Sequence, residues 1–89
     1  MADKASIKSA IKARVGTSYS SWRIGLTHDL ATRKQQWKDD GESITYWTSW
    51  TADSLSDAQD IEAYFINLGM KGGTGGDLSS YKTTYVYIF

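Results

Sequence analysis

The stretch that decides the fold is Trp22-Arg23-Ile24-Gly25-Leu26-Thr27-His28-Asp29-Leu30-Ala31-Thr32-Arg33. Before Thr27, apolar side chains stand at every second position, at Trp22, Ile24 and Leu26. This alternation is typical of a half-buried strand, which we expect over 19–27. Thr27 or Asp29 can then cap a helix over 29–39, because their side chains accept hydrogen bonds from its first free N–H groups. The sequence therefore predicts a strand that leads directly into a helix.

The residues before and after this stretch predict a helix and a strand. The first helix, over 3–15, carries a narrow apolar stripe of Ile7, Ile11 and Val15. Because the stripe is narrow, we expect residues 1–16 to form a peripheral N-terminal helix. The run over 43–51 is aromatic and β-branched almost throughout, which favours a strand.

The last third of the chain predicts a helix, a loop and a strand. Ser56 and Gln59 form a capping box at the start of a third helix. Its core face holds Ala58, Ile61, Phe65 and Leu68. Residues 69–82 read as a glycine-rich loop, and the alternation over 83–89 predicts a final strand. The order α-β-α-β-α-β predicts one α/β domain over 1–89, in two or three layers.

Composition excludes several classes of site and of protein. The chain of 89 residues has no cysteine and one histidine, His28. Disulfides, thiolate metal sites and multi-histidine metal sites are therefore excluded. No apolar run approaches a membrane span, and the N-terminus lacks the apolar core of a secretory signal. We expect a cytoplasmic monomer that does not bind membranes.

Charge is balanced overall but sorted along the chain. Residues 1–37 carry seven Lys or Arg and two Asp, a net charge of +5, and residues 38–69 carry a net charge of −6. A basic first half attracts phosphates. Alternatively, the two oppositely charged parts fold against each other.

Three further features each allow two interpretations. The glycine run Gly72-Gly73-Thr74-Gly75-Gly76 is not a nucleotide-binding loop, because a strand follows it instead of a helix. It is either an anion-binding nest or a flexible connection. The twelve aromatic residues either stack nucleobases or fill the core of a short chain. His28 is either a proton-transfer group or a solvated loop residue.

The stretch 24–33 resembles the second motif of GIY-YIG nucleases, a strand followed by Gly-x-Thr/Ser-x-Asn/Asp-Leu-x-x-Arg. The matching residues are Gly25, Thr27, Asp29, Leu30 and Arg33. Ala58 and Glu62 on the third helix look like the family's Ala-x-x-x-Glu helix, and the resemblance covers residues 22–68. It implies a three-stranded, mainly antiparallel sheet flanked by helices.

The resemblance also implies a reaction, the Mg²⁺-dependent cleavage of a phosphodiester bond in nucleic acid. Arg33 would stabilise the phosphate and Glu62 would hold the metal. Arg23, Thr27, His28 and Lys34 would contact the substrate.

This sequence departs from the family pattern at both tyrosine motifs. Arg23-Ile24-Gly25 stands where the family has Tyr-Ile-Gly, and a helix is predicted where the first motif's strand should precede residue 22. The C-terminal run 84–89 looks like that first strand displaced to the other end of the chain. Tyr85 or Tyr87 would then face Arg33 and Glu62 and position the attacking water. This permutation requires that 83–89 lie beside 22–26.

Two functions follow from this sequence. One is nucleic-acid binding, with or without cleavage. The other is a catalytically inactive protein-interaction or structural module on the same scaffold, since a fold does not fix a function.

Overall fold

The computed structural model describes residues 3–72 and 84–89. Most of the predicted glycine-rich loop, including all of the candidate anion nest except Gly72, lies outside the described residues. Within the described part, the helices and strands form an α/β fold, as the sequence predicts. The strand predicted over 19–27 begins only at Arg23, because Tyr19–Ser21 form a 3-10 turn. No described helix has the length and apolar character needed to cross a bilayer.

The sheet has four strands, where the sequence predicts three. They are β1 (Arg23–Thr27), β2 (Thr48–Ala52), β3 (Lys71–Gly72) and β4 (Thr84–Ile88). Their order is β2-β4-β1-β3. β4 is antiparallel to both of its neighbours, and β3 is parallel to β1. The sequence misses β3 because a two-residue strand has no alternation, and Gly72 has low strand propensity.

The helices are α1 (Lys4–Val15), α2 (Leu30–Asp39) and α3 (Leu55–Asn67). Asp29 caps α2, since its side chain accepts a hydrogen bond from the Thr32 N–H. Ser54, whose backbone is extended, caps α3 and accepts from the Asp57 N–H at 3.1 Å. The predicted capping box at Ser56 is therefore wrong, because Ser56 already lies inside the first turn.

β2 begins at Thr48 rather than at residue 43. The residues before it form a turn in which the Trp47 N–H donates to the Ile44 carbonyl at 3.1 Å. The ring of Trp47 then stacks on the sheet, at Tyr87. Because the aromatic residues before Thr48 pack through their side chains and do not extend the strand, a prediction from their strand propensity places the start of β2 too early.

One face of the sheet carries the main hydrophobic core. Ile24 and Leu26 of β1 and Val86 and Ile88 of β4 point to this face. α3 covers them with Ala58, Ile61 and Phe65, and α1 adds Ile7, Ile11 and Val15. Ile7 and Ile11 are fully buried, so α1 is part of this layer despite its narrow apolar stripe and its predicted peripheral position.

The other face of the sheet carries an aromatic cluster, which we define as Trp37, Trp47, Tyr87 and Phe89. Phe89 lies 5.3 Å from Trp37 and 5.4 Å from Trp47, measured between ring centroids. Gly25 of β1 stands opposite Tyr87 in the register. The cluster joins α2, the turn before β2 and the central strand, so it fixes α2 to this face.

Candidate functional site

Tyr87 lies at the centre of the aromatic cluster and is fully buried. Its ring stacks on Trp47 with centroids 4.5 Å apart and an interplanar angle of 10°. Its hydroxyl accepts a hydrogen bond of 2.8 Å from the indole N–H of Trp37. A Cβ on Gly25 would overlap the hydroxyl and Cζ of Tyr87, so only glycine leaves room for this phenol.

Arg33 of α2 reaches the same hydroxyl. Burial raises the pKa of Tyr87, and its hydrogen bonds with Trp37 and Arg33 and the positive charge of Arg33 only partly offset this. The pKa of the phenol therefore stays above its ordinary value, and at neutral pH Tyr87 is protonated. It can orient Arg33 but cannot act as a base.

Glu62 of α3 belongs to the same electrostatic environment. Its negative charge contributes to raising the pKa of Tyr87. The Glu62 side chain is half-buried, and desolvation raises the pKa of its own carboxyl. Arg33 is thus a hydrogen-bond partner of Tyr87, whereas Glu62 influences the phenol only through its charge.

Tyr85 lies on the same sheet face as Tyr87, two residues earlier on β4. It stands between Thr27 of β1 and Thr51 of β2 in the register. Tyr85 is half-buried, whereas Tyr87 has no exposed surface. Of these two phenols, Tyr85 is the one that a water molecule or a substrate can reach.

The predicted substrate-binding residues lie in different places. Thr27 is 3 % exposed, and its hydroxyl accepts from the Asp29 N–H at 3.0 Å and donates to the Asp29 carbonyl. It therefore holds the turn into α2. His28 is exposed beside it, and the ammonium of Lys34 lies 6.0 Å from the ring of Trp47.

Arg23 lies at the opposite end of β1 from Thr27. It forms an ion pair with Glu42 at 3.6 Å and donates to the Gly72 carbonyl at 3.0 Å. Its guanidinium also lies 4.6 Å from the centre of the Trp37 ring. Arg23 is therefore connected to the site through Trp37.

A divalent cation would find one carboxylate here. Within residues 3–72 and 84–89, no three acidic or histidine side chains form a metal-binding group. Mg²⁺ keeps several waters and often takes only one or two carboxylates together with substrate phosphates. A half-buried Glu62 whose charge is poorly solvated fits this mode of binding.

Sequence reasoning misses the role of Trp37 as a donor to Tyr87. The partners are separated by 50 residues, and an indole N–H leaves no periodic signal. The pairing of a glycine with a tyrosine across two strands is equally invisible before the register is known. The signal that could have found Trp37 is its position on the same side of α2 as Arg33.

Comparisons with protein-family models, curated proteins and solved structures give no match for this chain.

Proposed function

We propose that this chain binds nucleic acid and, with Mg²⁺, cleaves its phosphodiester bonds on a GIY-YIG-like scaffold. The observation that carries the proposal is the hydrogen bond between Arg33 and the hydroxyl of Tyr87, a phenol that also senses the negative charge of Glu62. A guanidinium and a carboxylate of this kind supply phosphate stabilisation and a cation ligand, the two charges that phosphodiester hydrolysis needs.

Each residue has a distinct part in the proposed reaction. Arg33 binds the phosphoryl oxygens and stabilises the charge that develops on them. Glu62 holds Mg²⁺, which when bound stabilises the leaving oxygen. Tyr85, the accessible phenol, positions the attacking water. Tyr87 is a positioning residue that fixes the Arg33 side chain from inside the protein.

The position of β4 supports a permuted arrangement. β4 pairs with β1 along its length, from Ile24–Ile88 to Thr27–Tyr85. Beyond the strand, Arg23 and Phe89 exchange backbone hydrogen bonds of 2.8 and 3.1 Å. The end of β4 is thus adjacent to the start of β1, where a short hairpin would join them if β4 came first in the chain.

A cleavage assay with defined variants tests the reaction. The wild-type chain is incubated with labelled single- and double-stranded oligonucleotides, with Mg²⁺ or with a chelator. We expect Mg²⁺-dependent products, and a loss of about 10²-fold or more in rate for Arg33→Ala. Glu62→Gln should lose the Mg²⁺ dependence together with the activity.

Arg14→Ala is the matched control, because Arg14 is an exposed cation in the last turn of α1. It should cleave like the wild type. If Glu62→Gln keeps full activity, the metal role is wrong. If Arg14→Ala falls as far as Arg33→Ala, general positive charge explains the activity and the Arg33 site does not.

A second candidate function is a protein-interaction or structural module without catalysis. The complete burial of Tyr87 under Trp37 and Trp47 favours it, since such packing also suits a purely structural tyrosine. The salt dependence of oligonucleotide binding distinguishes the two functions. Binding through about three phosphates of a single strand should weaken roughly twenty-fold between 50 and 200 mM salt.

A wild-type chain that binds no oligonucleotide at 50 mM salt would leave the interaction module as the proposed function. A protein partner would then be tested with Trp50→Ala, because Trp50 is a partly exposed aromatic residue of the edge strand β2.

A further inference from the structure

A pocket of about 200 Å³ lies at the start of β1, at the opposite end of this strand from the position that pairs with Tyr85. It is lined by Ser21, Arg23, Glu42, Ser43, Tyr46, Lys71 and Phe89. Of its lining residues, Arg23 is the one that the resemblance places among the substrate contacts, and the pocket itself has no part in the proposed reaction. Its connection to the site is direct, because Arg23 lies over the Trp37 ring, whose N–H holds Tyr87.

The most unusual residue of the pocket is Tyr46. Its side chain is 64 % exposed, the highest exposure among the large hydrophobic residues of the described chain. Trp22 supports it, with ring centroids 6.3 Å apart and the planes inclined by 51°. An aromatic ring held at a pocket in this way offers a free face, and every nucleobase can stack on such a face.

The polar groups of the pocket combine donors and an acceptor. Arg23 and Lys71 are cations, and Glu42 supplies a carboxylate whose contact with Arg23, at 3.6 Å, is too long for a hydrogen bond. A phosphate would be repelled by Glu42. These polar groups are complementary to a base edge that carries an amino group next to a carbonyl or ring nitrogen. The carboxylate accepts a hydrogen bond from the amino group, and a cation donates one to the neighbouring oxygen or nitrogen of the base.

We propose that this pocket binds one unstacked nucleobase with an exocyclic amino group, in a single-stranded segment that extends from the bond that is cleaved toward the start of β1. The proposal rests on the proposed nucleic-acid function and adds a base preference to it. The base stacks on Tyr46, Glu42 accepts from its amino group, and Lys71 donates to the neighbouring acceptor.

Fluorescence anisotropy with labelled oligo(dC) and oligo(dT) of equal length tests the pocket. Cytosine has the amino group and thymine lacks it. We expect the wild type to prefer oligo(dC). Tyr46→Ala should weaken oligo(dC) binding about ten-fold, since a stacked base contributes roughly 1–3 kcal/mol. Tyr46→Phe, which keeps the ring, should bind like the wild type.

The variant Glu42→Ala distinguishes the preference for cytosine from the general effect of charge on oligonucleotide binding. Removing a carboxylate strengthens the binding of both oligonucleotides, but the ratio of the two affinities should fall toward one. Leu68→Ala is the control, because Leu68 is an exposed apolar residue that does not line the pocket. It should leave both affinities unchanged.

The outcomes distinguish this inference from the proposed function. If Tyr46→Ala binds like the wild type, or if the wild type does not distinguish the two oligonucleotides, the base pocket is overturned. Arg33-dependent cleavage would still stand in that case. If the wild type binds neither oligonucleotide at low salt, the base pocket is overturned, and the proposed function falls with it when double-stranded oligonucleotides also go unbound.

Discussion

At the scale of single residues, Gly25 is the position where the site and the fold depend on each other most directly. The Tyr87 ring occupies the space where a Cβ of residue 25 would lie. Trp37 and Trp47 hold that ring from two sides, so it cannot move away. We expect Gly25→Ala to lower the free energy of unfolding by about 1–3 kcal/mol, the usual cost of overpacking. Urea denaturation of the variant and the wild type measures this difference in the free energy of unfolding.

A double-mutant cycle identifies the cause. In a Tyr87→Ala background the space beside residue 25 is empty, so Gly25→Ala should cost much less than in the wild type. An equal cost in both backgrounds would mean that backbone conformation, and not the phenol, requires glycine here.

Glu62 is the residue at which function and stability oppose each other. Desolvation raises the pKa of its carboxyl, so the folded state holds this proton more tightly than the unfolded state does. The free energy of unfolding therefore falls as the pH rises from the pKa of this carboxyl in the unfolded chain to its higher pKa in the folded chain. We expect Glu62→Gln to raise the melting temperature at pH 7, and the gain to disappear below the ordinary glutamate pKa.

Thermal unfolding between pH 3 and pH 8 measures this difference. Mg²⁺ should raise the melting temperature of the wild type and leave that of Glu62→Gln unchanged, because ligands stabilise the state that binds them. A Glu62→Gln variant less stable than the wild type at pH 7 would mean that the carboxylate has a favourable partner.

At the scale of elements, the cap of α2 keeps Arg33 and Trp37 in position. Asp29 accepts from the Thr32 N–H at 3.1 Å and from the Thr32 hydroxyl at 2.8 Å, and these bonds lower its pKa. The ionised carboxylate of Asp29 therefore contributes its full stabilisation above the pKa that Asp29 has in the unfolded chain. This stabilisation is lost as the pH falls through the lower pKa that Asp29 has in the folded chain. We expect Asp29→Ala to lower the melting temperature and Asp29→Asn to preserve most of it.

The measurement is the melting temperature of the three proteins at pH 7 and at pH 2.5. The advantage of the wild type over Asp29→Asn should shrink at the lower pH. If Asp29→Ala melts like the wild type, α2 is held by the aromatic cluster alone.

The sequence predicts the elements whose signal is local and misses those that depend on distant partners. Alternation in β1 and β4 and the apolar face of α3 are local, and the structure has all three elements. Leu68, predicted on the core face of α3, is instead exposed just beyond the end of the helix. β3 depends on a distant partner, because it pairs with β1, and the Lys71 N–H donates to the Trp22 carbonyl at 3.0 Å. The start of β2 is displaced because the stacking of Trp47 on Tyr87 outweighs the strand propensity of residues 43–47.

The candidate site likewise has some features that the sequence predicts and others that depend on distant partners. The sequence predicts Arg33 on α2 and Glu62 on α3 from motif spacing, and Tyr85 or Tyr87 from the alternation in β4. The burial of Tyr87 is not recognisable, because it results from Trp37, Trp47 and Phe89, which come from three separate segments. The pocket around Tyr46 also has no local signal, since its lining combines residues from 21 to 89.

At the scale of the whole molecule, β4 connects the two faces of the protein. It pairs with both β1 and β2, which have no hydrogen-bonded contact with each other in the sheet. Val86 and Ile88 are fully buried in the main core, and Tyr87 between them is fully buried in the aromatic cluster. Each layer therefore depends on the same five-residue strand, Thr84–Ile88.

Deleting residues 84–89 tests this dependence. The truncated chain loses the partner of two strands and the centre of both apolar clusters, and a chain this short has little other apolar surface to bury. We expect it to show no cooperative unfolding transition, measured by tryptophan fluorescence in urea. Lys4→Ala is a control that breaks an exposed ion pair with Asp60 and should keep the wild-type transition, because exposed pairs contribute little. A cooperative transition in the truncated chain would show that α1, α3 and β1 form an independent core, and β4 would then serve the site alone.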